Sequence, residues 1–389
     1  MSNQPGTLKK LNMEEFGRIR ENLKYRKKAN ARNSDAAPYL PLDMGLFLTG
    51  RCNLRCRHCF VWNEDGFLTH ADAACSNNEI PLEKIQECLD YTKPAGTRLY
   101  LWGGEPLLYS RFHELCELLT VDPRWTTLCT NGLLIQDHLD DLKRISDHLV
   151  LLISLDGFAE YNDAIRGKGT FDRVIRNIRA LKDCSNEGSF KGEVSLCCVI
   201  SDAMIPRLYE FCVFIETLEI NTLYLSFPWY IPEETAEKMD AEFEHRFGDL
   251  IPIADYASAT WHDFTYHISA EKIEALKEEL KRIASRKWKI RVRYQPAVEP
   301  DEIDDFILGG TRTAQGRTTC LTAFNRIDVL QNGEVSACKL FREFTVGNLM
   351  CESIQSIWEG QKMKEIRKRM SCGLMPVCSK CVLLYLNGE

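Results

Sequence analysis

In the stretch Thr49-Gly50-Arg51-Cys52-Asn53-Leu54-Arg55-Cys56-Arg57-His58-Cys59-Phe60, three cysteines follow the spacing C-x-x-x-C-x-x-C. Three thiolates on one short loop can hold three irons of a cubane cluster and leave the fourth iron open to a small molecule. Ferredoxin runs and structural zinc sites instead complete four ligands. The next cysteine, Cys75, is sixteen residues further on, too far to close the same short loop. A second set stands near the C-terminus: Cys320, Cys338 and the pair in Cys378-Ser379-Lys380-Cys381. Two separated cysteines plus a C-x-x-C make four ligands, and by spacing alone zinc and an iron–sulfur cluster both fit. The plain alternative for all of them is a population of reduced core thiols, since free cysteine behaves as a small hydrophobe.

Other candidates follow in order. Leu101-Trp102-Gly103-Gly104-Glu105-Pro106 places two glycines, which allow close approach of a ligand, beside a carboxylate that can accept from an ammonium. As a bare string it is an ordinary turn. Cys129-Thr130-Asn131-Gly132 and Ile153-Ser154-Leu155-Asp156-Gly157 offer small polar groups, although Asn131 and Asp156 could equally serve only their turns. Arg166, in Asp163-Ala164-Ile165-Arg166-Gly167, can grip a carboxylate bidentately; otherwise it forms a surface ion pair.

These residues need elements to carry them. Short apolar runs predict strands over 45–49, 98–102, 126–130, 148–155, 193–200 and 222–227, and helical periods predict helices over 82–91, 112–119, 136–146, 170–184 and 205–218. Strand–helix alternation with short connections implies a parallel sheet with right-handed crossovers. Six strands are too few for a closed eight-stranded barrel and suit an open, partial (β/α)6 barrel of the α/β class. In such a sheet chemistry gathers at the carboxyl ends of the strands, and each motif above follows a strand.

The chain divides, on this reading, into a basic N-terminal helical extension (1–40), the barrel (41–231), a bridging region (232–312) and a cysteine-punctuated module (313–389). Asn332-Gly333 between β-rich runs predicts a hairpin that brings Cys320 near Cys338. Residues 9–32 carry nine Lys/Arg against three Glu, with Phe16, Ile19 and Leu23 at helical spacing. They read as an amphipathic helix packed on the barrel, with a grip for an acidic partner as the sharper alternative.

The three-cysteine loop, followed one βα unit later by Gly-Gly-Glu-Pro, resembles the radical S-adenosylmethionine (SAM) superfamily, and 320–381 resembles its SPASM/twitch extensions. The resemblance implies that Cys52, Cys56 and Cys59 hold a [4Fe–4S] cluster whose open iron chelates SAM. It implies that Gly103, Gly104 and Glu105 hold the methionyl amine and that Arg166 meets the methionyl carboxylate. Ser154 would contact the ribose, with Asn131 and Asp156 nearby. Cys320, Cys338, Cys378 and Cys381 would hold one auxiliary [4Fe–4S] cluster, because the residues after Cys381 contain no further cysteine for a second. Cys351 and Cys372 are left over, and Cys372 is a candidate radical quencher.

The implied activity is reductive cleavage of SAM to a 5′-deoxyadenosyl radical that takes hydrogen from a substrate, with an external donor such as flavodoxin or ferredoxin. Maturation of a ribosomally made peptide is the leading expectation. Oxidation or epimerisation of a small molecule such as an aminosugar is the alternative, and a non-enzymatic electron carrier is a distant third because it leaves Glu105 and Arg166 without purpose. A net charge of −7 argues against nucleic-acid binding. No apolar run is long enough to span a membrane and no signal peptide is evident, so a reducing cytoplasm is the expected location.

Overall fold

The computed structural model describes residues 40–64, 66–69 and 77–387. The basic stretch over 9–32 therefore lies outside the described residues. Strands β1 (Asp43–Phe47), β2 (Arg98–Trp102), β3 (Thr126–Thr130), β4 (Leu149–Ser154), β5 (Glu193–Val199) and β6 (Thr222–Ser226) lie side by side in chain order, all parallel. Helices α1 (Leu82–Thr92), α2 (Phe112–Val121), α3 (Leu139–Arg144), α4 (Ala159–Arg166), α5 (Thr170–Asn186) and α6 (Leu208–Glu216) connect them.

Helix α4 is the element the sequence pattern does not announce. Its eight residues are too short for a clear period. Gly167, at φ +118°, ends it, and Asp163 turns the chain into α5 by accepting from the backbone N–H groups of Gly169 (2.6 Å) and Phe171 (2.9 Å).

The strands are not buried alike on both faces. Along β4, Leu149, Leu151 and Ile153 are buried, and Val150, Leu152 and Ser154 on the opposite face are half-buried. The buried set shares one hydrophobic core with Val174, Ile178 and Leu181 of α5, each side chain contributing on the order of 1.5–3 kcal/mol. On the other face Tyr100 of β2 and Cys129 of β3 are close enough to Cys197 of β5 to interact electrostatically. Tyr100 and Cys197 sit three strands apart, and curvature of the sheet brings their side chains toward each other over its concave face. The hollow of that face is the barrel lumen.

Both edges are extended. After α7 (Glu233–Phe247) and α8 (Ile273–Ser285), the 232–312 stretch supplies β7 (Arg291–Gln295), which pairs in parallel with β6. On the far edge, β8 (Arg326–Val329) pairs in parallel with β1, and β9 (Glu334–Ser336) and β10 (Thr345–Asn348) follow antiparallel. The cysteine module thus continues the barrel sheet. Gly45 makes the junction possible. It stands opposite Asp328, whose carboxylate is held by the Arg326 guanidinium at 2.7 Å through both oxygens, and a Cβ at Gly45 would overlap that carboxylate. The expected hairpin forms at Asn332-Gly333, with Gly333 at φ +82°.

Candidate functional site

The cysteine loop leaves the carboxyl end of β1 and is fastened to two neighbouring connections. Gly104 N–H donates to Thr49 O (2.9 Å), Glu105 N–H to Arg51 O (2.8 Å) and Arg57 N–H to Ile165 O (3.2 Å). A Cβ at Gly103 would stand 2.6 Å from Thr49 O, and one at Gly104 would overlap Arg51 O. The close approach that the Gly-Gly step permits is therefore taken up by the backbone of the cysteine loop. The packing of two loops is thus a second reason for glycine here, beside the room for a ligand expected from the sequence.

Glu105 is buried, and its carboxylate accepts from Thr130 Oγ1 (2.7 Å), Asn131 N–H (2.7 Å) and Leu107 N–H (3.1 Å). Burial pushes its carboxyl up to about 6 in spite of these donors. Asn131 also donates from Nδ2 to Asn53 Oδ1 (2.7 Å), clasping the end of β3 to the cysteine loop.

Asp156 is fully buried at the end of β4. Its Oδ2 lies 2.6 Å from Arg166 Nε and 2.7 Å from His58 Nε2, and its Oδ1 accepts from Val199 N–H at 2.9 Å. Burial works against its charge, but the Arg166 guanidinium and His58 hold its carboxyl well below the usual range. Arg166 projects from the last turn of α4, is itself buried, and donates from Nη1 to Cys56 Sγ (3.8 Å). The surface ion pair weighed for Arg166 is replaced by a buried one. His58, between Cys56 and Cys59, escaped the sequence reading; the only signal was an imidazole inside a ligand loop. Its ring meets Tyr266 edge-on at 5.6 Å. Ser154 is half-buried and in register with Cys197, both on the lumen face, whereas Cys198 is buried on the other.

Cys52, Cys56 and Cys59 interact with one another, and burial pushes the Cys52 thiol up to about 12 and Cys56 up to about 11. Cys59 is raised in the same way. Cys378 interacts with Cys320 and Cys381, and Cys338 with Cys381 and Cys378, so the second set also assembles. Burial pushes Cys381 up to about 11. Thiols held protonated by burial are inert until a bound metal displaces their protons. Among the described residues no three His, Cys, Asp or Glu side chains converge tightly enough for one metal ion. The donor sets, three thiols on one loop and four thiols that influence one another electrostatically, fit iron–sulfur clusters by their chemistry. Cys351 and Cys372 are exposed. A radical must be kept from water, so the exposed Cys372 thiol is poorly placed as its quencher.

Residues 46–212 match the Radical SAM superfamily, and residues 320–382 match SPASM, an iron-sulfur cluster-binding domain. This is a radical SAM protein with a SPASM domain. The chain is 32% identical over 177 residues to the mycofactocin maturase MftC of Mycolicibacterium smegmatis, covering 44% of this chain and 41% of that protein. The chain thus spans about two fifths of the length of that relative. Similarity to AlbA, the antilisterial bacteriocin subtilosin biosynthesis protein of Bacillus subtilis, is lower, 22%, but covers 90% of this chain and 69% of AlbA. The fold of Streptococcus suis SuiB, solved with its precursor peptide SuiA, superposes with a TM-score of 0.58 at 16% identity, covering 90% of this chain and 70% of that one. Among the described residues no helix is long and apolar enough to cross a membrane.

Proposed function

We propose that this chain is a radical SAM enzyme that modifies a ribosomally made peptide. One observation carries the substrate class: the likeness to AlbA, a bacteriocin biosynthesis protein, runs through 90% of the chain rather than through one domain of it. An electron carrier would need neither a buried Glu105 nor a buried Arg166 beside the cysteine loop. An aminosugar-type substrate has no comparable support.

In this reading Cys52, Cys56 and Cys59 hold the SAM-binding cluster, and Cys320, Cys338, Cys378 and Cys381 hold one auxiliary cluster. When bound and reduced by a donor such as flavodoxin or ferredoxin, the first cluster supplies the electron that cleaves SAM to methionine and a 5′-deoxyadenosyl radical, which takes hydrogen from the peptide. The chain's own residues bind and orient. Glu105 accepts from the methionyl ammonium. Arg166 has five N–H donors, of which Asp156 and Cys56 engage only part, leaving others for the methionyl carboxylate. Asp156 fixes the guanidinium and, through His58, the loop itself. Ser154 faces the ribose, and the lumen keeps water from the reacting carbon.

The test is anaerobic turnover with SAM and the peptide encoded beside the gene, deuterated along its core. Deuterium in 5′-deoxyadenosine together with a mass change confined to the peptide is the expected result. Cleavage of SAM with no label transfer from any such peptide would remove the peptide reading.

A pH dependence follows from Glu105. An ammonium is held by the ionised carboxylate, and this carboxyl takes up its proton near 6. Affinity for SAM is therefore expected to be flat above about pH 6.5 and to weaken about tenfold per unit below about 5.5. Glu105→Gln should bind weakly at every pH and lose that slope. Equilibrium dialysis between pH 5 and 8 measures both, and a wild-type slope shared by the variant would take the role away from Glu105.

A further inference from the structure

The segment 337–344, between β9 and β10, carries Cys338 and then turns into the barrel lumen. Lys339 Nζ lies 4.0 Å from the centroid of the Tyr100 ring and 5.9 Å from that of Trp102. The guanidinium carbon of Arg342 lies 5.5 Å from the Phe67 ring. Phe47 joins these rings into one floor, with centroids 4.7 Å from Trp102 and 6.3 Å from Phe67. Two cations of one loop thus rest over one aromatic surface.

Their neighbours are matched and they are not. Arg98 is held by Asp43 at 2.7 and 2.6 Å, Arg326 by Asp328 at 2.7 Å and Arg166 by Asp156 at 2.6 Å. Among the described residues neither Lys339 nor Arg342 has a carboxylate within ion-pair distance. The one carboxylate of their loop, Glu343, is spent on Thr260, accepting from its N–H and Oγ1 at 2.7 Å each. The floor adds an orphan donor: the Trp102 Nε1–H is buried with no hydrogen-bond partner, in a residue only 8% exposed. Half-buried cations and a buried N–H left unpaired cost free energy that an arriving anion offsets.

The position is telling. Cys129, on the lumen face, interacts electrostatically with Lys339 and also with Glu105 and Arg166. A group bound at Lys339 would lie in the same hollow as the residues proposed to hold SAM. We infer that Lys339, Arg342 and the Trp102 indole N–H form a recognition site for a substrate carboxylate, so that the peptide presents an acidic side chain close to the carbon it gives up hydrogen from. The inference deepens the peptide reading and rests on it for the kind of molecule that bears the carboxylate. The rival role is charge balance: Lys339 follows Cys338 and also interacts with the Cys381 thiol, so the cations could serve only the auxiliary cluster.

The test uses the cluster-loaded full chain with SAM present and no reductant. The probes are N-acetylglutamate N-methylamide and its glutamine isostere, with binding measured by titration calorimetry. Wild type is expected to favour the glutamate probe about tenfold, because the charged acceptor gains two charge-assisted contacts, and added salt should shrink the preference. Lys339→Met with Arg342→Gln should abolish the preference by weakening the glutamate probe about tenfold more than the glutamine probe, and Lys339→Arg should keep it. Iron content and melting temperature equal to wild type establish that the variants are folded and loaded. Equal binding of the two probes by wild type, or binding of neither, would overturn the inference. So would a double variant that keeps the preference while the auxiliary cluster's midpoint potential moves. None of these outcomes bears on label transfer from the peptide, which tests the peptide reading separately.

Discussion

Replacing Cys52, Cys56 and Cys59 together by alanine is expected to lower the iron of the anaerobically reconstituted protein from about eight atoms to about four and to abolish SAM cleavage. The two cysteine sets are built separately. The first rides on one loop after β1, and the second is gathered from the segment before β8, the end of β9 and the C-x-x-C pair. No thiol of one set interacts with a thiol of the other among the contacts that raise their protonation, so loss of the first should leave the second loaded with its redox signal unaltered. The fold should survive, because the loop is also held by Gly104, Glu105 and Asn131 through groups the substitution leaves in place. Iron and sulfide analysis with low-temperature spin resonance measures the outcome. Zinc at the second set, or an unchanged iron count in the triple variant, would refute the assignment of ligands.

The strands were legible because each is a short apolar run bounded by turn residues, and all six lie within two residues of their expected bounds. What the sequence hid is tertiary. The strand over 291–295 reads Arg-Val-Arg-Tyr-Gln, too polar to announce a sheet edge, and nothing local says that Arg326–Val329 pairs with β1 rather than only with its hairpin partner. The glycines of Gly-Gly-Glu-Pro were found for a reason that proved incomplete: their flexibility serves the packing of two loops. Arg166 and Asp156 were both singled out, but their union was not, since nine residues, with the turn into α4, lie between them. His58 was invisible for the same reason, its partner being 98 positions away.

That union sets the second large effect. Asp156→Asn keeps the shape of the side chain and removes its charge, leaving the buried Arg166 guanidinium without a counter-ion. Breaking a buried pair from one side costs about 3–5 kcal/mol, because the remaining charge stays desolvated. Asp156→Asn should therefore lower unfolding stability by that order and weaken SAM binding, since both Arg166 and His58 lose the group that orients them. Adding Arg166→Met removes the stranded charge and should restore part of the stability while leaving SAM binding poor, a sign reversal that a merely fragile site would not show. The dependence on pH has a definite sense. The folded carboxyl of Asp156 is held well below the ordinary aspartate value of about 3.9, so its stabilisation is complete above about pH 4 and is lost as pH falls further and the unfolded chain takes up the proton first. The stability gap between wild type and Asp156→Asn should accordingly be constant from pH 7 down to about pH 4 and narrow below it. Denaturation curves across that range decide the matter: a gap that does not narrow at all below about pH 4 would mean that the charge of Asp156 is not what holds Arg166 against the cysteine loop.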